Sequence, residues 1–369
     1  MDFAPRGDCG RSEDLKTTFG NFWRENMADI NLLDVKPHQV SRDMHGYSVF
    51  FYGEAKSGKT TIASKFPKHL ILAFEKGYSA IPGAMAQPIN SWSEFRKVLR
   101  QLKEPAVQEK FETIIIDTAD IAYDYCENYI CSNNNVDTIG DIPYGKGYTL
   151  VGKEFDECLR SIVKLNYGLV LISHSVDKTF TDESGKEYNQ IVPTLGAKPR
   201  NIVSRMADII GYARAIQDAS GAVSTKLFMR GTPRFVAGSR FKYTPDYIDF
   251  TYDELVKAIA DAVDKQMEED GKEFFTDSSE NLHASTASIE LDFDDLMSQF
   301  TNIIANIPGS SDPKGETEDG VKFREYWQPR ISQIIEKYLG KGRKIKDASR
   351  DQAEAIDLIV ADLKELVKA

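Results

Sequence analysis

The feature that most constrains this chain is the octapeptide Gly53-Glu-Ala-Lys-Ser-Gly-Lys-Thr60, which matches the Gly-x4-Gly-Lys-Thr pattern in full. A strand-like run, Tyr47-Ser-Val-Phe-Phe-Tyr52, precedes it, and a short helical segment that Pro67 must stop follows it. Glycines let consecutive backbone N–H groups turn toward a phosphate chain, and a helix N-terminus adds a favourable dipole. Gly53, Glu54, Ala55, Lys56, Ser57, Gly58, Lys59, Thr60 and Thr61 are therefore the expected nucleotide-binding set. Within it, Lys59 is placed to reach the β- and γ-phosphates and the Thr60 hydroxyl to ligate Mg²⁺. The bland alternative is a chance glycine turn, and the strand–loop–helix context argues against it.

The surrounding pattern fits. His69-Leu-Ile-Leu-Ala-Phe74, Thr113-Ile-Ile-Ile-Asp117 and Gly168-Leu-Val-Leu-Ile-Ser173 read as buried strands, with Asp208–Ile216 and Thr225–Met229 adding more. Ser91-Trp-Ser-Glu94 and Thr251-Tyr-Asp-Glu254 are capping boxes that open helices reaching about Leu102 and Met267. Strands alternating with helices predict an α/β fold with a mostly parallel sheet covered on both faces. With 41% hydrophobic residues the chain can bury a sizeable core, and no apolar run is long enough to span a membrane. The polar N-terminus lacks a secretory pattern. Cys9, Cys126, Cys131 and Cys158 show no metal-ligand spacing, the usage expected of a reduced cytoplasmic protein.

Three further residues point at one ligand crevice. Asp117 closes a run of three isoleucines, a costly place for a carboxylate unless it holds Mg²⁺, although a helix cap is the alternative. The residue after it is Thr118 rather than Glu, so a water-activating base must come from elsewhere. Glu75, at the end of the second strand, opens onto the same crevice and is the expected base; a solvated turn residue is the competing reading. His174 follows the fourth strand, placed to donate to a γ-phosphate or simply to close the strand.

In their order, Gly53–Thr60, Glu75, Asp117 and the polar fourth-strand end resemble the RecA-like ATPase core. Tyr52–Thr60, Leu72-Ala-Phe-Glu-Lys-Gly77 and Val236-Ala-Gly-Ser-Arg240 more specifically resemble phage nucleotide-binding proteins, some of which are single-strand annealing recombinases. The resemblance covers about residues 46–262. It implies ATP and Mg²⁺ as cofactors, a homo-oligomer with ATP between protomers, and single-stranded DNA as partner. His174 falls where RecA-like proteins commonly have a glutamine that senses the γ-phosphate. The segments 132–148 and 176–200 fall where the family has its DNA-binding loops, and both look mobile by composition. Lys146, Tyr148, Lys198 and Arg200 are the residues there suited to phosphate neutralisation and base stacking. Residues 226–242 hold Lys226, Arg230, Arg234, Arg240 and Lys242 with no acidic residue. The resemblance gives Arg230 or Arg234 a catalytic role at a neighbouring subunit's nucleotide, against the alternative of a solvated surface.

The expected domain order is an N-terminal extension over 1–45, in which Met27 is a candidate start, and an ATPase domain over 46–267. An acidic linker over 268–292 and a helical module over 293–369 follow. Ten acidic residues between 268 and 295 face one lysine, Lys272. Phe293, Leu296, Phe300, Ile303 and Ile304 begin an amphipathic helix, Trp327–Tyr338 carries a second, and Ser349-x-x-Gln352 caps a third. Lys341–Lys346 forms a basic inter-helix loop, and Asp292-Phe-Asp-Asp-Leu296 reads as a helix start or as a docking segment for a single-strand-binding or replication partner. The net charge of −11 excludes binding nucleic acid by bulk charge, so any DNA contact must be local. The leading functional reading is an Mg²⁺-dependent ATPase that binds single-stranded DNA and promotes annealing or recombination, in the cytoplasm of a bacterial host. An ATP-switched replication adaptor or helicase-loader-like scaffold is the second reading. A kinase lacks its arginine-rich lid, and a GTPase lacks its Asn-Lys-x-Asp motif.

Overall fold

In a computed structural model, the described residues are 37–271, 274–276, 291–312 and 314–368. They fall into two compact units divided between Ala287 and Ser288. The candidate start at Met27 and most of the expected linker lie outside the described residues.

The first unit runs β1 (Val40–Ser41), β2 (Ser48–Gly53), α1 (Lys59–Ala63), β3 (His69–Ala73), β4 (Ala86–Pro88), α2 (Trp92–Gln101), α3 (Pro105–Lys110) and β5 (Thr113–Asp117). It continues with α4 (Ala119–Asn133), α5 (Lys146–Lys164), β6 (Gly168–Thr181), β7 (Glu187–Pro193), α6 (Ala197–Met206), β8 (Ile209–Gln217) and β9 (Val223–Phe228). β10 (Gly238–Ser239), β11 (Tyr247–Asp249), α7 (Tyr252–Asp270) and β12 (Phe275–Thr276) complete it. The sheet order is β11-β9-β8-β2-β6-β5-β3-β4, and every pair from β8 to β4 is parallel. β6 therefore separates the strand that leads into the glycine loop from the strand that ends in Asp117.

Side chains alternate to opposite faces of each strand, so both faces bury apolar rows. Phe50, Leu72, Ile114 and Leu171 pack with Trp92, Phe95 and Phe155 on the side of α2, α4 and α5. Phe51, Ile71, Ile115 and Ile172 pack with Ile62, Leu255 and Ile259 on the side of α1 and α7. The Ser91 and Thr251 hydroxyls accept the Glu94 and Glu254 backbone N–H groups, as their capping boxes require.

Three expectations change. The 176–200 segment is ordered: β6 continues past the sheet and pairs antiparallel with β7 from Ser175–Pro193 to Thr181–Glu187, and α6 follows. The segment 132–148 likewise holds the end of α4, two 3₁₀ turns and the start of α5. Inside the stretch expected as linker, α7 extends to Asp270 and β12 pairs parallel with β1 (Val40–Phe275), so backbone pairing reaches beyond 46–267 at both ends.

The second unit contains α8 (Phe293–Ala305), α9 (Glu318–Lys322), a π turn, α10 (Gln328–Leu339) and α11 (Ala353–Lys368). Leu296, Phe300, Ile303, Ile331, Ile335, Ile359 and Leu363 are buried, and Lys337 and Tyr338 both donate to Asp362. Ser349 and Gln352 form the expected capping box.

At Gly53 a Cβ would stand 2.3 Å from the Ala213 backbone oxygen of the adjacent strand β8, and a backbone atom cannot rotate away. Gly53→Ala is expected to destabilise the first unit by about 1–3 kcal/mol, read from its urea unfolding midpoint.

Candidate nucleotide site

Parallel register brings the ends of β2, β3 and β5 and the middle of β6 to one edge. Gly53 pairs with His174, Asp117 with Ile172, and Ala73 with Asp117. The Glu75 backbone N–H donates to the Asp117 carbonyl at 3.1 Å, which fixes where the Glu75 side chain starts. Across this edge Thr60 Oγ1 donates to Asp117 Oδ2 at 2.8 Å, and His174 Nε2 stands 3.8 Å from Glu75 Oε2. Residues 57 positions apart in sequence thus meet through one hydrogen bond. Gly58 caps α1 with φ 92°, a backbone conformation that side chains other than glycine's resist. α1 is only five residues long, so the loop's own amides, more than the dipole, are what a phosphate chain meets.

Lys59 is buried, and its ammonium folds back onto the loop, donating to the Gly53 and Glu54 carbonyls at 3.0 and 2.7 Å. Burial lowers its pKa, while Asp117, Glu75, Asp120 and Glu54 pull it back up. Those four carboxylates make the crevice acidic around the Lys59 ammonium, a field suited to a divalent metal. Asp117 is 1% exposed and its Oδ1 has no hydrogen-bond partner among the described residues. Its carboxyl is pushed up to about 6, chiefly by burial; Glu75 adds to the rise, and Thr60, Lys59 and His174 oppose it.

These residues fit Mg²⁺. Thr60 Oγ1 and the orphaned Asp117 carboxylate are hard oxygen donors of the kind the ion takes. The space beside them is kept open by Gly77: a Cβ there would lie 2.9 Å from Asp117 Oδ2, 3.2 Å from Thr60 Oγ1 and 3.7 Å from Glu75 Oε1. The sequence reading passed over Gly77. Its signal was the Glu75-Lys-Gly77 turn, and its reason is space rather than backbone torsion.

With this geometry in view, comparison with known proteins is direct. The AAA domain matches residues 45–241, more than half of the chain. The chain belongs to the AAA-domain family. The SPbeta prophage-derived uncharacterized protein YorG of Bacillus subtilis (strain 168) is 30% identical over 348 residues, 92% of this chain and 99% of its own. Among solved structures, the flagellar accessory protein FlaH of Methanocaldococcus jannaschii aligns with 56% of this chain and 85% of its own. That alignment is at 11% identity and a TM-score of 0.32. The fold assignment rests on the sheet order and the glycine loop.

Within the AAA domain the remaining candidates separate. Lys198 Nζ donates to the Tyr148 carbonyl and lies over Gly152, so Lys198 and α5 with Lys146 and Tyr148 share one patch. Tyr148 is 53% exposed, and Tyr144, which the sequence reading missed in Pro143-Tyr-Gly145, is 96% exposed. Arg200 is set apart: its Nη1 is buried without a hydrogen-bond partner among the described residues, and its charge acts on Tyr52 beneath the loop. The acid-free stretch 226–242 is neutralised from elsewhere in the fold. Lys226 pairs with Asp249, Arg240 with Asp208 and Lys242 with Glu269. Arg230 is tied to the Thr244 and Lys242 carbonyls at 2.8 and 2.6 Å. Arg234, exposed on the turn whose carbonyl accepts from Ile191, makes no ion pair among the described residues.

Two expectations follow. A carboxyl raised by folding supports the folded state fully below 3.8, its ordinary value, and loses that contribution as pH climbs through about 6. In metal-free protein Asp117→Asn is therefore expected to gain about 2 kcal/mol relative to the parent between pH 4.5 and pH 8, read by urea unfolding in EDTA. Gly77→Ala, whose backbone any residue can adopt, is expected to raise the Mg²⁺ needed for half-maximal nucleotide binding about tenfold. A fluorescent ATP titration across Mg²⁺ concentrations checks this, with affinity in EDTA unchanged.

Proposed function

We propose that this AAA-domain protein hydrolyses ATP with Mg²⁺, binds single-stranded DNA and promotes its annealing or recombination, in a phage or prophage setting. One observation carries the hydrolytic part: Thr60, Asp117 and Glu75 converge beside the phosphate-binding loop, with an orphaned carboxylate oxygen and an open glycine wall. The prophage origin of the YorG relative, matched over 99% of its length, supports the setting.

In this reading the loop amides and Lys59 hold the triphosphate, Lys59 exchanging its loop carbonyls for phosphate oxygens. Thr60 and Asp117 hold Mg²⁺, which when bound neutralises charge on the β- and γ-phosphates. Glu75 orients and deprotonates the attacking water, and His174, near it, donates to the γ-phosphate. Arg234, without an ion pair among the described residues, reaches a neighbouring protomer's nucleotide in a homo-oligomer, while Arg230 braces the 242–244 backbone. Lys146, Tyr148 and Lys198 supply the phosphate and base contacts to a DNA strand, and the C-terminal unit is the docking element for a replication partner.

ATP turnover with and without single-stranded DNA tests the proposal, with Lys59→Ala as the blank. Stimulation of about fivefold or more is expected, and Glu75→Gln should lower turnover about 10²–10⁴-fold while retaining ATP binding. Complementary fluorescent oligonucleotides then report annealing. Turnover indifferent to DNA would reject the coupled ATPase in favour of an ATP-switched adaptor.

A further inference from the structure

A second carboxylate in the crevice is left without a role by the hydrolytic site. Asp120 lies in the first turn of α4, three residues after Asp117, and its charge acts on Lys59. Its Oδ1 accepts from the Thr194 hydroxyl at 2.7 Å and lies 3.1 Å from Ser173 Oγ. The two hydroxyls are themselves 3.2 Å apart, which closes a triangle. The other oxygen, Oδ2, is buried without a hydrogen-bond partner among the described residues.

The triangle joins three elements. Ser173 is fully buried on β6 and immediately precedes His174. Thr194 directly follows β7, donates its backbone N–H to the His174 carbonyl at 2.9 Å, and lies three positions before the first residue of α6. Asp120 belongs to the helix that springs from the metal-site aspartate. A charge-assisted hydrogen bond of 2.7 Å is among the stronger contacts a surface-exposed threonine can make, and it joins α4 to the segment between β7 and α6. Hydroxyl–carboxylate hydrogen bonds weaken with distance and misalignment, so a small shift of α4 changes the strength of both contacts to Asp120.

We propose that Asp120 is a positioning residue that, through Ser173 and Thr194, carries nucleotide and metal occupancy from the Asp117 helix to the base of the β6–β7 hairpin and to α6. The inference rests on the reading of the crevice as an ATP site. The route runs through the metal-side helix and the hydroxyl of Thr194, not through the side chain of His174. Asp120 Oδ2 is buried with its acceptor capacity unfilled among the described residues, so a polar group brought beside it on nucleotide binding acts on this side chain.

Hydrogen exchange of the full-length chain tests it, with and without a hydrolysis-resistant ATP analogue plus Mg²⁺, and with nucleotide affinity measured in parallel. In the parent protein, amides of residues 191–200 are expected to change exchange rate about fivefold or more on nucleotide binding. Thr194→Val keeps the β-branched shape and removes the hydroxyl at an exposed position; it should bind nucleotide within about threefold of the parent and lose that response. Thr194→Ser should restore it, which a general loss of packing would not allow. A full response in Thr194→Val, or a parent that binds nucleotide with no change in 191–200, overturns the inference. A parent that binds no nucleotide overturns the ATP-site reading beneath it, a result visible in the affinity measurement alone.

Discussion

Everything at the crevice depends on the hydrogen bond from Thr60 to Asp117. It requires that β5 end level with the glycine loop although β6 lies between β5 and β2, so the register of two parallel strand pairs is written into one 2.8 Å contact. The cost of burying Asp117 is what gives the contact meaning. A carboxylate with one satisfied and one orphaned oxygen in an apolar strand end is a poor stability element and a good cation ligand. The surrounding carboxylates, Glu75, Asp120 and Glu54, deepen the same bias and leave Lys59 as the counter-charge.

Much of this was legible in the sequence because strong local signals coincide with tertiary need. The Gly53–Thr60 loop, the triple isoleucine before Asp117 and the Ser91 and Thr251 caps each carry their structural cause within a few residues, and all appear as expected. The limits have equally physical sources. Residues 176–200 read as a mobile loop because Thr181-Asp-Glu-Ser-Gly-Lys186 is polar, yet that polar run is only the tip of a hairpin whose strands pair along seven positions. Gly77 and Asp120 were passed over because their importance lies in what other segments bring to them: the one needs room beside Asp117, the other two hydroxyls from β6 and the end of β7.

Charge is the clearest case of sequence misleading by proximity. Five basic residues between 226 and 242 with no acid among them look like an anion-binding surface. In the fold, Asp249, Asp208 and Glu269 neutralise three of them, and backbone carbonyls hold a fourth. An ion pair formed across a fold is invisible to any window along the chain. Arg234 emerges as distinct by elimination, and the patch of Lys146, Tyr148 and Lys198 by the approach of α6 to α5.

β6 crosses from the interior to the outside without a break. Residues 168–173 are buried in the central sheet, and from Ser175 to Thr181 the strand pairs with β7 alone among the described residues. From His174 to Thr181 it rises about 23 Å, so a tilt of about 5° at the crevice swings the tip by about 2 Å. The hairpin is in this sense a pointer mounted on the sheet: its stiffness amplifies displacements too small to disturb the core, and shortening it would reduce that gain in proportion.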